Sequence, residues 1–225
     1  MARVCVFDVN ETLLDLTALD PPFERAFGRP GVRREWFGQL LQSAFVSTIT
    51  DAYSDFGAIG RAALEMIARR NGIELASDQR DEILGTMLTL PPHPEVAAAL
   101  ERLRSAGIRI AALTNSTEAV AIAQLTNAGL APLLERILSA DAVGHLKPAR
   151  EPYEMAAREL GTEIGGLRLI AAHAWDVAGA RRAGAAAAFV ARPGMALDPL
   201  APAPDIIGAD LAEVADRILE VDLNW

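Results

Sequence analysis

Asp8 stands directly after the apolar run Val4-Cys5-Val6-Phe7 and opens the segment Asp8-Val9-Asn10-Glu11-Thr12-Leu13-Leu14-Asp15. An acid just past a buried strand has the exposure and backbone support that a carboxylate nucleophile needs. The segment taken alone fits an aspartate that caps a loop equally well. Two more polar groups follow apolar runs of the same kind: Thr114-Asn115 after residues 108–113, and His173 with Asp176 after residues 167–171. A histidine so placed can donate to a substrate, position water, or pair with Asp176 as a base that titrates near neutrality.

These groups are far apart in the chain and need a frame that gathers them. Residues 4–7 are uniformly apolar and partly β-branched, which suits a strand covered on both faces. Similar runs recur at 108–113, 167–171, 186–190 and, more weakly, 205–207. Helix-like stretches separate them. Residues 94–106 carry Pro94 and Glu95 in the first turn and Gly107 after the last, 117–128 end at Gly129, and 150–160 end at Gly161. This alternation predicts a doubly wound parallel α/β sheet, whose ligand site lies at the carboxyl ends of the strands. Asp8, Thr114-Asn115 and residues 171–176 all fall at such ends.

Residues 13–90 read differently, as helices around 33–49, 56–71 and 77–88, closed by the stiff connection Pro91-Pro92-His93-Pro94. We expect a helical cap at 13–90 inserted after the first strand, with the core domain formed by 1–12 and 91–225. The Ala/Pro-rich stretch 195–204 reads as an ordered loop.

Composition narrows the function. The 225 residues are 51% hydrophobic and 23% charged, enough to build a packed core. Lys plus Arg number 21 and Asp plus Glu 30, a net charge of −9, which repels nucleic acid and anionic membrane surfaces. The one cysteine, Cys5, sits in a strand-like apolar run and is expected as a small buried hydrophobe. Neither a signal-peptide core nor a membrane-spanning run is visible, so the expected compartment is the cytoplasm. Apolar cap helices allow a homodimer, although packing of cap on core accounts for them as well.

The motifs resemble, in order, those of the haloacid dehalogenase superfamily. Asp8 and Thr12 match its D-x-x-x-T nucleophile motif, Thr114-Asn115 the Ser/Thr at the next core strand, Lys147-Pro148 its lysine, and Trp175-Asp176-Val177-Ala178-Gly179-Ala180 its acidic loop before a helix. The resemblance implies a HAD-like, Rossmann-type core with a cap. Magnesium-dependent phosphatases of the superfamily carry a second aspartate where this chain has Asn10, and a metal-binding aspartate where it has Ala172. An amide cannot serve as the general acid, and alanine cannot hold Mg²⁺.

One carboxylate facing one ammonium remains, a pattern similar to the type II 2-haloacid dehalogenases, which implies no metal and no cofactor. On that resemblance Asp8 attacks the halogen-bearing carbon of a small haloacid to give an ester that water hydrolyses. Lys147 is its counter-charge, Thr12, Thr114, Asn115 and Asn10 bind Asp8 or substrate, Tyr153 lies beside nucleophile and lysine, and Asp176 orients or activates the water. Tyr153 could instead be a packing aromatic and Asp176 a helix N-terminal acid.

The pattern departs from the family at two places. The family's S-x-N-x-x-D loop reads Ala171-Ala172-His173-Ala174-Trp175-Asp176, so His173 replaces the asparagine. The family's cap arginine, which binds the leaving halide, falls on Phe37. Arg33 or Arg34 could substitute, though an exposed cap charge is the default for both. Phe37 and Trp175 are expected in an apolar wall over the nucleophile, and Phe45 in packing. Two other readings stay open: a phosphatase for a small ester, and a catalytically silent HAD-like binding protein.

Overall fold

The computed structural model describes residues 2–222; residue 1 and residues 223–225 of the expected core segments lie outside them. In chain order the elements are β1 (Val4–Phe7), α1 (Asp20–Phe27), α2 (Val32–Ile49), α3 (Phe56–Arg70), α4 (Ser77–Thr86), α5 (Val96–Ser105), β2 (Ile110–Thr114), α6 (Glu118–Asn127), β3 (Arg136–Ser139), α7 (Arg150–Glu159), β4 (Leu167–Ala171), α8 (Ala174–Ala183), β5 (Ala186–Val190), β6 (Ile206–Gly208) and α9 (Leu211–Asp222). The strands among the described residues form one parallel sheet in the order β3-β2-β1-β4-β5-β6.

The uniformly apolar strands follow from burial on both faces. Val4 and Val6 pack with Leu160, Leu169 and Val177 on one side, whereas Cys5 and Phe7 join the cluster of Leu103, Ile110 and Ile170 on the other. The period-2 alternation is present, but every position it visits is apolar. Cys5 is buried as expected, and burial pushes its thiol up to about 12.

β1 pairs with β2 on one side and β4 on the other, so the chain turns in opposite directions from its end. A crevice opens at such a switch point. Phe7 is registered with Ala112 and Ile170, which brings Asp8, Thr114 and the residues after Ala171 to one edge.

Four helices occupy the span between β1 and Pro91. The chain pairs with itself where it leaves and re-enters the sheet layer: Asp15 N donates to Pro91 O at 2.8 Å and His93 N to Leu13 O at 3.0 Å. α2 and α3 pack tightly because Gly60 lacks a side chain. Its carbonyl accepts Trp36 Nε1 at 2.9 Å, and a Cβ there would stand 3.3 Å from Leu40. Tyr53 donates to Asp141 just past β3, and Gln124 Nε2 donates to Met87 O at 2.8 Å.

Three elements escaped the sequence pattern. β3 is an edge strand whose first residue is exposed, so Arg136-Ile137-Leu138-Ser139 shows no continuous apolar run. α1 begins with Asp20-Pro21-Pro22, where proline suits a first turn but reads as a breaker. α9 closes on a buried charge network, Arg168 donating to Asp222 at 2.8 and 3.0 Å and also to Asp205.

Candidate active site

Asp8 leaves the end of β1 with only 5% of its surface exposed, and both carboxylate oxygens are occupied. Oδ1 accepts from Lys147 Nζ at 2.9 Å, and Oδ2 accepts from Thr12 Oγ1 at 2.7 Å. His173 Nδ1 lies 3.2 Å from the same Oδ2. The four-residue spacing of Asp8 and Thr12 works because the chain curls back: Leu13 and Leu14 N both donate to Val9 O. Thr12 Oγ1 also accepts from Ala172 N at 3.0 Å, which ties the β1 loop to the β4 loop.

Lys147 is fully buried, and its ammonium uses all three protons: on Asp8, on Leu113 O at 2.9 Å, and on Asp176 Oδ2 at 2.5 Å. Asn115 fixes the backbone that carries it, accepting from Lys147 N at 2.7 Å and donating to Lys147 O at 3.1 Å. Asp176 lies in the first turn of α8, where the helix dipole suits an acid, and Tyr153 donates to its Oδ1 at 2.6 Å. Gly179 lets α8 come this close. A Cβ there would stand 2.6 Å from both Pro148 Cβ and Tyr153 OH.

Electrostatics follow from this packing. Burial alone would raise Asp8, but Lys147, His173 and Thr12 outweigh it and hold the carboxyl well below the usual range. Burial opposes a charged Lys147, yet Asp176 and Asp8 raise it, so the ammonium persists. Burial pushes Asp176 up, with Lys147 pulling the other way, and burial beside Asp176 lifts Tyr153 well above its ordinary value.

Asn10, Thr114 and Asn115 turn their polar groups toward protein. Asn10 donates to Ser116 Oγ at 3.3 Å and accepts from Gln124 at 3.1 Å, and Thr114 Oγ1 accepts from Ser116 N at 3.2 Å. All three are buried and brace the loops around Asp8. Ser116 and Gln124 carry no motif that would have marked them in the sequence.

A cavity of about 620 Å³ opens over this edge, between α2 and the β1, β4 and β5 loops. Its walls include Glu11, Arg34, Phe37, His173, Trp175 and Arg192. His173 forms the floor nearest Asp8 and is packed between rings, its centroid 5.9 Å from Phe37 and 5.1 Å from Trp175. Phe45 meets Trp175 edge-on at 5.5 Å. Phe37 and Trp175 line the cavity on either side of His173, and Phe45 packs behind Trp175.

Arg33 corrects an expectation. It is 3% exposed rather than a surface cap charge, because α2 begins against the β1 loop, and its guanidinium binds Asp20 at 2.7 Å and Glu11 at 3.3 Å. Arg34 is exposed as expected, lines the cavity, and makes no ion pair among the described residues. Arg192 is buried and committed to Glu95 at 2.6 Å and Thr12 O at 2.9 Å.

Glu11 had no signal in the sequence beyond its type. It adopts φ 62, the left-handed region that favours glycine, at a cost of roughly 1–2 kcal/mol. Its Oε2 lies 2.9 Å from His173 Nε2. His173 thus bridges Asp8 and Glu11, while Asp176 faces Lys147 and Tyr153. Burial would lower the imidazole, but these two carboxylates hold it up to about 9.

A family description, haloacid dehalogenase-like hydrolase, matches residues 2–184. The chain is 29% identical over 203 residues to (S)-2-haloacid dehalogenase of Pseudomonas sp. strain YL, covering 88% of this chain and 87% of that one. It is 28% identical over 218 residues to (S)-2-haloacid dehalogenase 2 of Pseudomonas sp. strain CBS-3, covering 96% and 95%. Among solved structures, L-2-haloacid dehalogenase from Xanthobacter autotrophicus superposes with a TM-score of 0.91 at 25% identity, covering 98% of this chain and 99% of that one. The family match runs from β1 through α8 and so takes in every segment that meets at Asp8, and the chain belongs to the haloacid dehalogenase-like hydrolases.

Proposed function

We propose that this chain is a 2-haloacid dehalogenase, converting short 2-haloalkanoic acids to 2-hydroxy acids through an ester on Asp8. The observation that carries it is the buried Lys147 ammonium standing between Asp8 and Asp176. A protein amine occupies the space between the two carboxylates, so Asp8 stays ionised and oriented without a divalent ion between them. The relatives named above are (S)-2-haloacid dehalogenases, which supports the same substrate class.

In this chemistry Asp8 attacks the carbon bearing the halogen, and the carbon–halogen bond breaks with its electron pair leaving on the halide. Water then attacks the ester carbonyl carbon, with Asp176 orienting it. The cap helices of residues 13–90 and the rings of Phe37 and Trp175 exclude bulk water, which keeps the carboxylate poorly solvated and reactive. For the substrate carboxylate we assign Arg34, since Arg33 and Arg192 already spend their charge on protein acids.

A phosphatase needs an acid beside the nucleophile, and Asn10 has no proton to transfer and is turned to Ser116 and Gln124. Incubation with L-2-chloropropionate or a haloacetate should release halide, unaffected by EDTA, and Asp8→Asn should abolish it. No halide from any short haloacid, or phosphate-ester hydrolysis that EDTA stops, would overturn the assignment.

A further inference from the structure

His173 meets a carboxylate oxygen with each ring nitrogen, Nδ1 at 3.2 Å from Asp8 Oδ2 and Nε2 at 2.9 Å from Glu11 Oε2. Ionised carboxylates only accept, so this pair of contacts suits a ring with a proton on each nitrogen, an imidazolium. Phe37 and Trp175 hold it in this plane, and Glu11 is steadied from behind by Arg33 at 3.3 Å. The two oxygens of Asp8 are therefore unlike. Oδ2 gathers two donors, the Thr12 hydroxyl and His173 Nδ1–H, whereas Oδ1 receives only Lys147.

We propose that Glu11 is a positioning residue that locks His173 as a doubly protonated donor, so that His173 and Thr12 form the oxyanion hole for hydrolysis of the Asp8 ester. This rests on the ester chemistry proposed above and assigns each atom in its second step. Oδ1 is the oxygen that bonds to the substrate carbon, because Oδ2 is already committed. Water adds to Asp8 Cγ, the carbonyl π pair moves onto Oδ2, and the charge that develops there meets two donors already aimed at it. The water proton passes to Asp176.

Collapse returns the pair to Cγ and breaks the Cγ–Oδ1 bond. The departing alkoxide takes a proton from Lys147, which recovers one from Asp176 through their hydrogen bond. Asp8, now carrying the water oxygen as a carboxylic acid, loses its remaining proton to solvent. His173 keeps both protons throughout. A neutral amide at position 173 would supply a weaker donor, and an imidazole without Glu11 would lose a proton as pH rises.

Rapid-quench single turnovers with L-2-chloropropionate separate the two steps. For Glu11→Gln and His173→Leu, we expect the burst of one halide per enzyme to survive within a few-fold while ester decay slows about a hundredfold. Intact mass should then show the Asp8 adduct accumulating. In wild-type enzyme labelled with ¹⁵N-histidine, NMR should show one imidazolium, assigned as the signal absent from His173→Asn, still doubly protonated at pH 8. In Glu11→Gln that signal should turn neutral at lower pH. The charged groups facing His173 are Asp8 and Glu11, with Lys147 and Arg33 behind them, and Phe37 and Trp175 contribute only rings.

Halide burst and turnover falling together without adduct would overturn the proposal, as would a neutral His173 in wild-type enzyme at pH 7. The NMR arm needs only the wild-type fold and a folded His173→Asn or His173→Gln reference. Absence of any halide from wild-type enzyme would instead remove the ester reading, and the histidine spectrum would still decide whether Glu11 holds the ring charged.

Discussion

Gly179 approaches Tyr153 so closely that a Cβ at position 179 would stand 2.6 Å from the phenolic oxygen. The missing side chain is what lets α8 lie against the Lys147-Pro148 segment and puts Asp176 within reach of both Tyr153 and Lys147. Gly179→Ala should therefore push α8 outward, costing about 1–3 kcal/mol by overpacking. Halide release should fall further than stability does, because the Asp176 contacts are short and directional. Thermal melts and initial rates on the same preparation check this. An unchanged rate would mean that α8 tolerates the shift.

Lys147 pairs with two buried carboxylates at once. Lys147→Met should abolish turnover and destabilise the fold by about 3–5 kcal/mol, since Asp8 and Asp176 are left buried without a counter-charge. The loss of stability should shrink at acidic pH, where the carboxylates take up protons. Lys147→Arg should not restore activity, because a planar guanidinium cannot direct three protons at Asp8, Leu113 O and Asp176. Denaturant titrations at pH 4.5 and 7.5 measure the difference.

Stability should respond to pH through His173 with a definite sign. Its folded value is raised from 6.5 to about 9, so the folded state binds the extra proton more tightly than the unfolded chain. The contribution is complete below about pH 6.5 and is lost as pH rises through 9. Asp8 is lowered instead, so its contribution is present above the ordinary carboxylate range and disappears only in strong acid. Wild-type melting temperature should fall between pH 6.5 and 10, and His173→Asn should flatten that decline.

Arg34 offers the cavity a guanidinium with no ion pair among the described residues. Arg34→Ala should raise KM for a 2-haloacid about tenfold, the worth of one charge-assisted hydrogen bond, with kcat nearly unchanged. Arg33→Ala should behave differently. It releases Asp20 and Glu11, so stability should drop as well. Steady-state kinetics paired with melts distinguish the two arginines.

Much of the core was legible from local pattern. The runs at 4–7, 167–171 and 186–190 became strands at those limits, because a strand buried on both faces must be apolar throughout. The helix at 56–71 was equally readable, with Asp55 capping its start by accepting from Ala58 N at 2.8 Å. β3 was not, since its exposed edge needs no apolar residue at every position. Arg33 was misjudged because a charge on a helix is normally solvated, and nothing local shows that α2 begins against Glu11 and Asp20.

What the sequence by itself determined was the set of polar residues at strand ends, the α/β alternation, and the absence of acids at positions 10 and 172. These are properties of residue type and spacing, which local sterics and periodicity express directly. Only the tertiary structure decided which group faces which: that His173 bridges Asp8 and Glu11 while Asp176 turns to Lys147 and Tyr153, and that Asn10, Thr114 and Asn115 brace loops. Partner choice at Asp8 and Glu11 depends on distances between segments more than a hundred residues apart, which parallel pairing of β1 with β2 and β4 fixes and which no local propensity encodes.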